Sequence, residues 1–377
     1  MINISKLYCG KAGQSDDLRY KRNDLGPIVV FNCTAACNLK CAHCYSATEK
    51  NTAELDTSQA KKMISDLAEA NCPVLLFSGG EPLLRKDLFE LMDYATTVNL
   101  KTVISTNGTL IDDVVARKLK EAKIGYVGIS IDGEGKIHDR FRGVAGAFKG
   151  MMNGVKNCID AGIRTGFRFT ITTQNLGEVE NIFKLAAENN VRRLCFYHLI
   201  RMGRAAGADC LPSAEQTRGT IDRIIDLTKE YVGAGKVDEV LTVGNHADGA
   251  FLLEKMKAES HSNYENALKL LTINGGNKIG EKIACVSWDG TVYADQFWRN
   301  YPIANCMDKS FGDIWYGDNE LLVKLRDKKN FAAEECKKCK WFDICRGNYR
   351  FLNGDASMKN WRNEPACYLT ERQRAKK

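Results

Sequence analysis

From about residue 28 the chain alternates between two hydrophobic periods. Short apolar runs stand at Ile28-Val29-Val30-Phe31, Val74-Leu75-Leu76-Phe77, Thr102 to Thr106, Tyr126 to Ile131, Arg168 to Thr173 and Arg193 to Leu199. Runs of this length suit strands buried on both faces. Between them, Ser58 to Ala70, Asp87 to Thr97 and residues 111–122, 147–161 and 178–189 carry the amphipathic spacing of helices. Six strands with five intervening helices predict an α/β fold with a parallel sheet and right-handed crossovers, a partial (β/α)6 barrel. Ser213 to Tyr231 predicts one more long helix. The rhythm is then lost over residues 233–280, where Gly275-Gly276 marks a turn. A hairpin follows, with strands Ile283 to Ser287 and Thr291 to Ala294 around Trp288-Asp289-Gly290. The expected organisation is an N-terminal segment 1–27, a barrel 28–232, a connecting insertion 233–280 and a cysteine-rich domain 281–377.

The length of 377 residues accommodates one large barrel and a smaller module. No apolar run approaches the ~20 residues of a membrane-spanning helix. The start, Met1-Ile2-Asn3-Ile4-Ser5-Lys6, lacks the features of a signal peptide. The expectation is a cytoplasmic protein with no membrane partner. A net charge of +7 suits an anionic substrate and equally suits plain solubility. No block of like charges and no nucleic-acid motif is present, so no nucleic-acid partner is expected. Oligomeric state is not legible.

The fifteen cysteines change the picture. An odd number scattered along a chain of this length argues for metal-bound thiolates rather than a disulfide scaffold. Cys37, Cys41 and Cys44 stand in a C-x3-C-x2-C pattern directly after the first strand. Three thiolates on one loop can hold three corners of a cubane iron–sulfur cluster and leave the fourth iron open. An open iron is useful for binding a substrate, and loops at this end of a (β/α) barrel carry active sites. A zinc site or structural cysteines are the alternatives. A second group, Cys336, Cys339, Cys345 and Cys367, offers four thiolates, enough for a fully ligated [4Fe–4S] cluster or a zinc ribbon. Cys9, Cys33, Cys72, Cys158, Cys195 and Cys210 are isolated and read as small buried hydrophobes.

The first cysteine loop, with His43 before its third cysteine and Tyr45 after it, resembles the signature of the radical SAM superfamily. Ser78-Gly79-Gly80-Glu81-Pro82 resembles that superfamily's GGEP motif, and Ser105-Thr106-Asn107-Gly108 and Ser130-Ile131-Asp132-Gly133 match in order. The resemblance implies a [4Fe–4S] cluster whose unique iron is chelated by S-adenosylmethionine (SAM). It implies cleavage of SAM to a 5′-deoxyadenosyl radical, and a low-potential electron donor such as flavodoxin or ferredoxin. The implied SAM site comprises His43, Gly79, Gly80, Glu81, Pro82, Ser105, Asn107, Ser130, Asp132 and Arg142. The glycines would let backbone approach the ligand, Glu81 would accept from an ammonium, and Arg142 would take the SAM carboxylate.

The C-terminal cysteines and the Trp288–Tyr293 hairpin resemble the SPASM extension of these enzymes. Full SPASM domains hold two auxiliary clusters. Here Cys285 and Cys306 supply two ligands of a second cluster, but Tyr349 stands where another cysteine is needed and the hairpin has none. One auxiliary [4Fe–4S] cluster is expected.

Further segments resemble the haem-biosynthesis branch of the superfamily. They are Ile4 to Gly10, Asp17 to Tyr20, Ile137 to Gly143, Phe196 to Leu199, Gly244 to Gly249 and Asp295 to Trp298. This resemblance implies an anionic iron-tetrapyrrole substrate. The implied reaction removes two acetate side chains from 12,18-didecarboxysiroheme to give iron-coproporphyrin III. Removal of propionates in haem d1 biosynthesis, and peptide modification by a SPASM maturase, are the alternatives. The catalytic acid or base is unassigned, with His198, His246 and Arg204 as candidates. Arg140, Arg168, Arg201, Arg204 and Arg299 are candidate carboxylate partners, because guanidinium forks suit carboxylates.

Overall fold

The strands form where the apolar runs lie. A computed structural model describes residues 1–10, 25–46, 53–207, 209–348 and 366–375. Strands β2 (Ile28–Asn32), β3 (Val74–Ser78), β4 (Lys101–Thr106), β5 (Val127–Ile131), β6 (Thr165–Ile171) and β7 (Arg193–His198) pair in chain order, all parallel. Helices Thr57–Glu69, Leu88–Thr97, Asp113–Glu121, Ala147–Asp160 and Val179–Glu188 form crossovers. Phe31, Phe77, Ile104, Ile129, Phe167 and Phe196 are fully buried in one core shared with helix residues such as Met63, Met151 and Phe183. Phe183 stacks on Phe196 with ring centroids 5.5 Å apart. That outer layer leaves the alternate strand residues on the concave face.

The sheet runs further than the six expected strands. Helix Ala214–Gly233, N-capped by Ser213, leads to β8 (Glu239–Val243), which lies parallel to β7. Residues 233–280, expected as a connection, thus supply a seventh parallel strand and two helices, Ala247–Ala258 and Tyr264–Asn274. Five residues of mixed character were too few for the apolar pattern to reveal β8. The N-terminus also departs from the expectation of a segment outside the barrel. β1 (Ile2–Asn3) pairs antiparallel with β8, and helix Ile4–Cys9 follows it. Covering β8 in this way removes an exposed edge. Asp17 to Tyr20 and Tyr349 lie outside the described residues.

At the opposite edge β9 (Ile283–Val286) lies parallel to β2, with Cys285 opposite Val30. It turns at Gly290, where φ is +84°, into β10 (Thr291–Tyr293), which pairs with β11 (Ala304–Asn305). The predicted hairpin is therefore bonded to the first barrel strand. Among the described residues no pairing joins β1 to β11, so the barrel stays open. No helix among them is long and apolar enough to cross a membrane.

Candidate active site

The cysteine loop leaves β2 at Asn32 and is held by backbone on three sides. Gly80 and Glu81 donate their amide N–H groups to the carbonyls of Thr34 and Ala36, both at 2.8 Å. Gly79 has φ +134°, and a Cβ on Gly80 would meet the Ala36 carbonyl oxygen at 2.1 Å. The glycines of the GGEP segment thus let the cysteine loop approach closely. Pro82 opens the short turn Pro82–Leu84, which Glu81 caps.

Glu81 is fully buried and already engaged. It accepts from Thr106 Oγ1 at 2.7 Å, from the Asn107 amide at 2.8 Å and from the Leu83 amide at 3.2 Å. Burial pushes its carboxyl above the ordinary range against these donors. It ties the end of β3 to the end of β4. Asn107 donates from Nδ2 to Asn38 Oδ1 at 2.8 Å, so it too braces the cysteine loop.

Asp132, Arg142 and His43 form a buried charged group beside the loop. Asp132 is fully buried; burial alone would raise its carboxyl, but Arg142 and His43 hold it well below the usual carboxylate range. Arg142 Nε stands 2.7 Å and His43 Nε2 3.3 Å from its two oxygens. Arg142 Nη1 also points at Cys41 Sγ, 3.5 Å away. This guanidinium ties Asp132 to the cluster loop. The backbone repeats the message: Lys40 and Ala42 donate to the carbonyls of Arg142 and Phe141 at 2.9 and 2.8 Å. From the other flank Arg204 donates from Nε to the Cys41 carbonyl at 2.6 Å and from its amide to the Cys44 carbonyl at 2.9 Å. Arg204, a catalytic candidate by sequence, is here a clamp on the loop.

Held this way, the three thiols crowd one another. Burial pushes Cys37 up to about 11, and neighbouring Cys41 and Cys44 add to the rise. The second group converges likewise: burial, then Cys367, Cys336 and Cys339, drive Cys345 well above an ordinary thiol. Among the described residues no three His, Cys, Asp or Glu side chains close on one point as a single ion needs. A cubane is gripped at its corners, one thiolate per iron, and three thiols on one loop and four in the second group supply such corners. Gly276 lets backbone approach the Cys345 carbonyl, where a Cβ would stand 2.6 Å away.

The histidine candidates belong to this second centre. His198, at the end of β7, faces Asp248 Oδ2 at 2.9 Å, and Tyr368 donates to Asp248 Oδ1 at 2.6 Å. Tyr368 follows Cys367, so the network ties the barrel to a thiolate of the second group. The His246 amide donates to Asn348 Oδ1 at 2.9 Å, Asn348 donates to Asn245 Oδ1 at 2.6 Å, and Asn245 donates to the Ala366 carbonyl at 2.8 Å. Both histidines are used to hold the C-terminal segment. Nothing in the Gly244–Gly249 segment alone marks Asp248 and Asn245 as site residues, because their partners lie over 100 residues away in sequence, at Tyr368 and Asn348.

Inside the barrel the concave face is polar. Ser105 of β4 lies beside Gly128 of β5, and Ser130 beside Arg168 of β6. Tyr45 donates to Asn32 Oδ1 at 3.0 Å, lies 3.4 Å from Ser78 Oγ and sets its ring edge against Phe297. Tyr45 and Phe297 therefore join the cysteine loop to the C-terminal domain. Arg140 and Arg201 are exposed, whereas Arg299 is buried, 4.6 Å from the Trp288 ring.

An open parallel barrel with a three-thiol loop at its mouth and a four-thiol module beside it defines an iron–sulfur enzyme of radical type. The family model of the radical SAM superfamily matches residues 31–186, and that of the SPASM iron–sulfur cluster-binding domain matches 278–340. The chain is 44% identical to the Fe-coproporphyrin III synthase of Methanosarcina barkeri (strain Fusaro / DSM 804), covering 98% of each chain. It is 35% identical to the pre-heme d1 synthase of Dinoroseobacter shibae, over 93% of this chain and 88% of that one. Among solved structures, Streptococcus suis SuiB bound to the precursor peptide SuiA superposes with a TM-score of 0.73 at 17% identity, covering 94% of this chain and 79% of that one, and shows the shared fold. The chain belongs to the radical SAM superfamily and is a radical SAM enzyme with a SPASM domain.

Proposed function

We propose that this enzyme makes iron-coproporphyrin III by removing the two acetate side chains of 12,18-didecarboxysiroheme, leaving methyl groups on the ring. The observation that carries this reading is the full-length 44% identity to an Fe-coproporphyrin III synthase. When bound, a [4Fe–4S] cluster with SAM on its open iron supplies hydrogen-atom abstraction by a 5′-deoxyadenosyl radical. Cys37, Cys41 and Cys44 would hold that cluster. Gly79 to Pro82, Asn107, Asp132, Arg142, His43 and Arg204 fix their loop. The hydroxyls of Ser105 and Ser130, on the concave face, are offered to SAM. Cys336, Cys339, Cys345 and Cys367 would hold one auxiliary cluster. Cys285 sits in an apolar cluster with Val30 and Tyr293, and Cys306 in the main core. The barrel wall excludes water and orients the macrocycle. The enzyme would act in the cytoplasm with a low-potential flavodoxin or ferredoxin as donor.

The test is an anaerobic turnover of reconstituted protein with SAM, a strong reductant and didecarboxysiroheme. Iron-coproporphyrin III should appear together with 5′-deoxyadenosine, read by absorbance and mass. 5′-Deoxyadenosine with unchanged pigment would keep the radical chemistry and overturn the substrate. The 35% identity to a pre-heme d1 synthase makes haem d1 precursors the next substrates to try.

A further inference from the structure

Arg168 is the fourth residue of the seven in β6, mid-strand on the concave face. Strand β5 makes room for it. A Cβ on Gly128 would stand 2.6 Å from Arg168 Cδ, so glycine lets the arginine stem lie across the barrel wall. The guanidinium carbon rests 4.6 Å from the centre of the Tyr197 ring. A cation over an aromatic face is held without being neutralised. Its other neighbours are the phenols of Tyr45 and Tyr126 and the thiol of Cys195. The Tyr126 hydroxyl is itself buried without a hydrogen-bond partner among the described residues.

Among the described residues Arg168 has neither a carboxylate partner nor a hydrogen-bond acceptor. Arg142, Arg164, Arg192, Arg193 and Arg223 each pair with a carboxylate of this chain. Among the described residues none pairs with Arg168. A guanidinium held inside a barrel with no counter-ion of its own is a receptor for one brought from outside, and its planar fork suits a carboxylate. Two carboxylates could come: one from the substrate, one from the methionyl part of SAM. The position favours the substrate. The residues that brace the cysteine loop, Gly79 to Glu81, Asn107 and Asp132, sit at or just past the ends of β3, β4 and β5. Arg168 belongs to the next strand and sits at its middle. It lies beside Ser130, one residue short of the end of β5, so the carboxylate proposed for it is one that reaches into the barrel beyond the cysteine loop.

We propose that Arg168 grips a carboxylate side chain of the anionic tetrapyrrole and so fixes which edge of the macrocycle faces the cysteine loop. This rests on the tetrapyrrole reading above. It also explains the glycine at position 128 and the Tyr197 ring, which holds the cation in place without quenching it.

The experiment titrates the reconstituted holoenzyme with two probes, iron-coproporphyrin III and its tetramethyl ester, by the change in the porphyrin absorption band. A parallel titration measures the SAM dissociation constant. Wild-type protein should prefer the free acid. R168Q should bind the acid about ten- to hundredfold more weakly, as expected for a lost charged pair, and lose most of the discrimination against the ester. R168K keeps a point charge without the fork and should fall between them. Iron content and circular dichroism establish that each variant is folded and loaded, and R168K serves if R168Q is not. Unchanged acid binding in both variants would overturn the inference while leaving the substrate reading intact. Weaker SAM binding with unchanged porphyrin binding would overturn it in favour of the SAM carboxylate. Failure of the wild-type enzyme to bind either porphyrin would overturn the tetrapyrrole reading and this inference with it.

Discussion

Asp132 carries its charge in a buried place, and Arg142 and His43 make that tolerable. Arg142 and His43 approach its oxygens, and its backbone amide donates to His138 Nδ1 at 3.2 Å. That last bond requires a neutral imidazole with an unprotonated Nδ1. Burial, and then the charge of Arg142, push His138 down to about 4. The sign follows from proton counting. Between its ordinary value near 6.5 and about 4, the unfolded chain binds a proton on His138 that the folded chain refuses. The stability contributed by the neutral ring is therefore present above pH ~6.5 and is lost as pH falls toward 4. Asp132 is held so low that it does not titrate in this window. Urea unfolding at pH 7 and pH 5 should show a loss attributable to His138 of about 2 kcal/mol. His138→Gln, which keeps an acceptor and cannot be protonated there, should lack that part of the loss. Equal pH dependence in the two proteins would sink the account.

At the scale of elements, the cysteine loop has almost no secondary structure and borrows its shape from its neighbours. The short helical turn Gly203–Gly207 after β7 supplies one side of the mould. Gly203 has φ +57°, and a Cβ there would meet the Cys44 carbonyl oxygen at 2.2 Å. Removing the Arg204 side chain deletes a charged hydrogen bond to the Cys41 carbonyl, an interaction of roughly 1.5–3 kcal/mol. In Arg204→Ala the iron–sulfur absorbance should bleach several-fold faster under a chelator, whereas Ala at exposed Arg201 should leave the rate unchanged. Equal rates in both variants would return Arg204 to the list of candidates for substrate chemistry. The strands of this mould were legible because apolar runs and amphipathic helices alternate from β2 to β7. The cysteine spacing was legible because three thiols on eight residues is a chemical pattern, not a topological one. The roles of Glu81, Arg142 and Arg204 were not legible. Each is decided by a partner brought near only by the barrel, such as Asn107 for Glu81 or Cys41 for Arg204. β1 was hidden for a similar reason: two residues form a strand only because β8 offers them an edge.

For the whole molecule, the question is how two cysteine groups some 300 residues apart act in one enzyme. The sheet answers mechanically. β9 extends the barrel from β2, the strand that leads into the first cysteine loop. Asp248 ties His198 of β7 to Tyr368 beside Cys367 at the other flank. The second module is thus bonded to both ends of the parallel run, and the ring contact of Tyr45 with Phe297 adds a third link. Such a frame fixes the distance between two clusters whether or not both are loaded, so each cluster should be removable on its own. Two [4Fe–4S] clusters hold about eight irons per chain. Cys345→Ala should leave about four, together with SAM binding, because its thiolate belongs only to the second group. Replacing Cys37, Cys41 and Cys44 together should also leave about four, but abolish SAM cleavage. Cys285 and Cys306 decide between one auxiliary cluster and two. Cys285 accepts from Asn32 Nδ2 at 3.5 Å, and Cys306 is fully buried. Alanine at either position should leave the iron count at about eight; a wild-type count near twelve that falls by about four in either variant would show that the hairpin carries a third cluster completed by non-cysteine ligands.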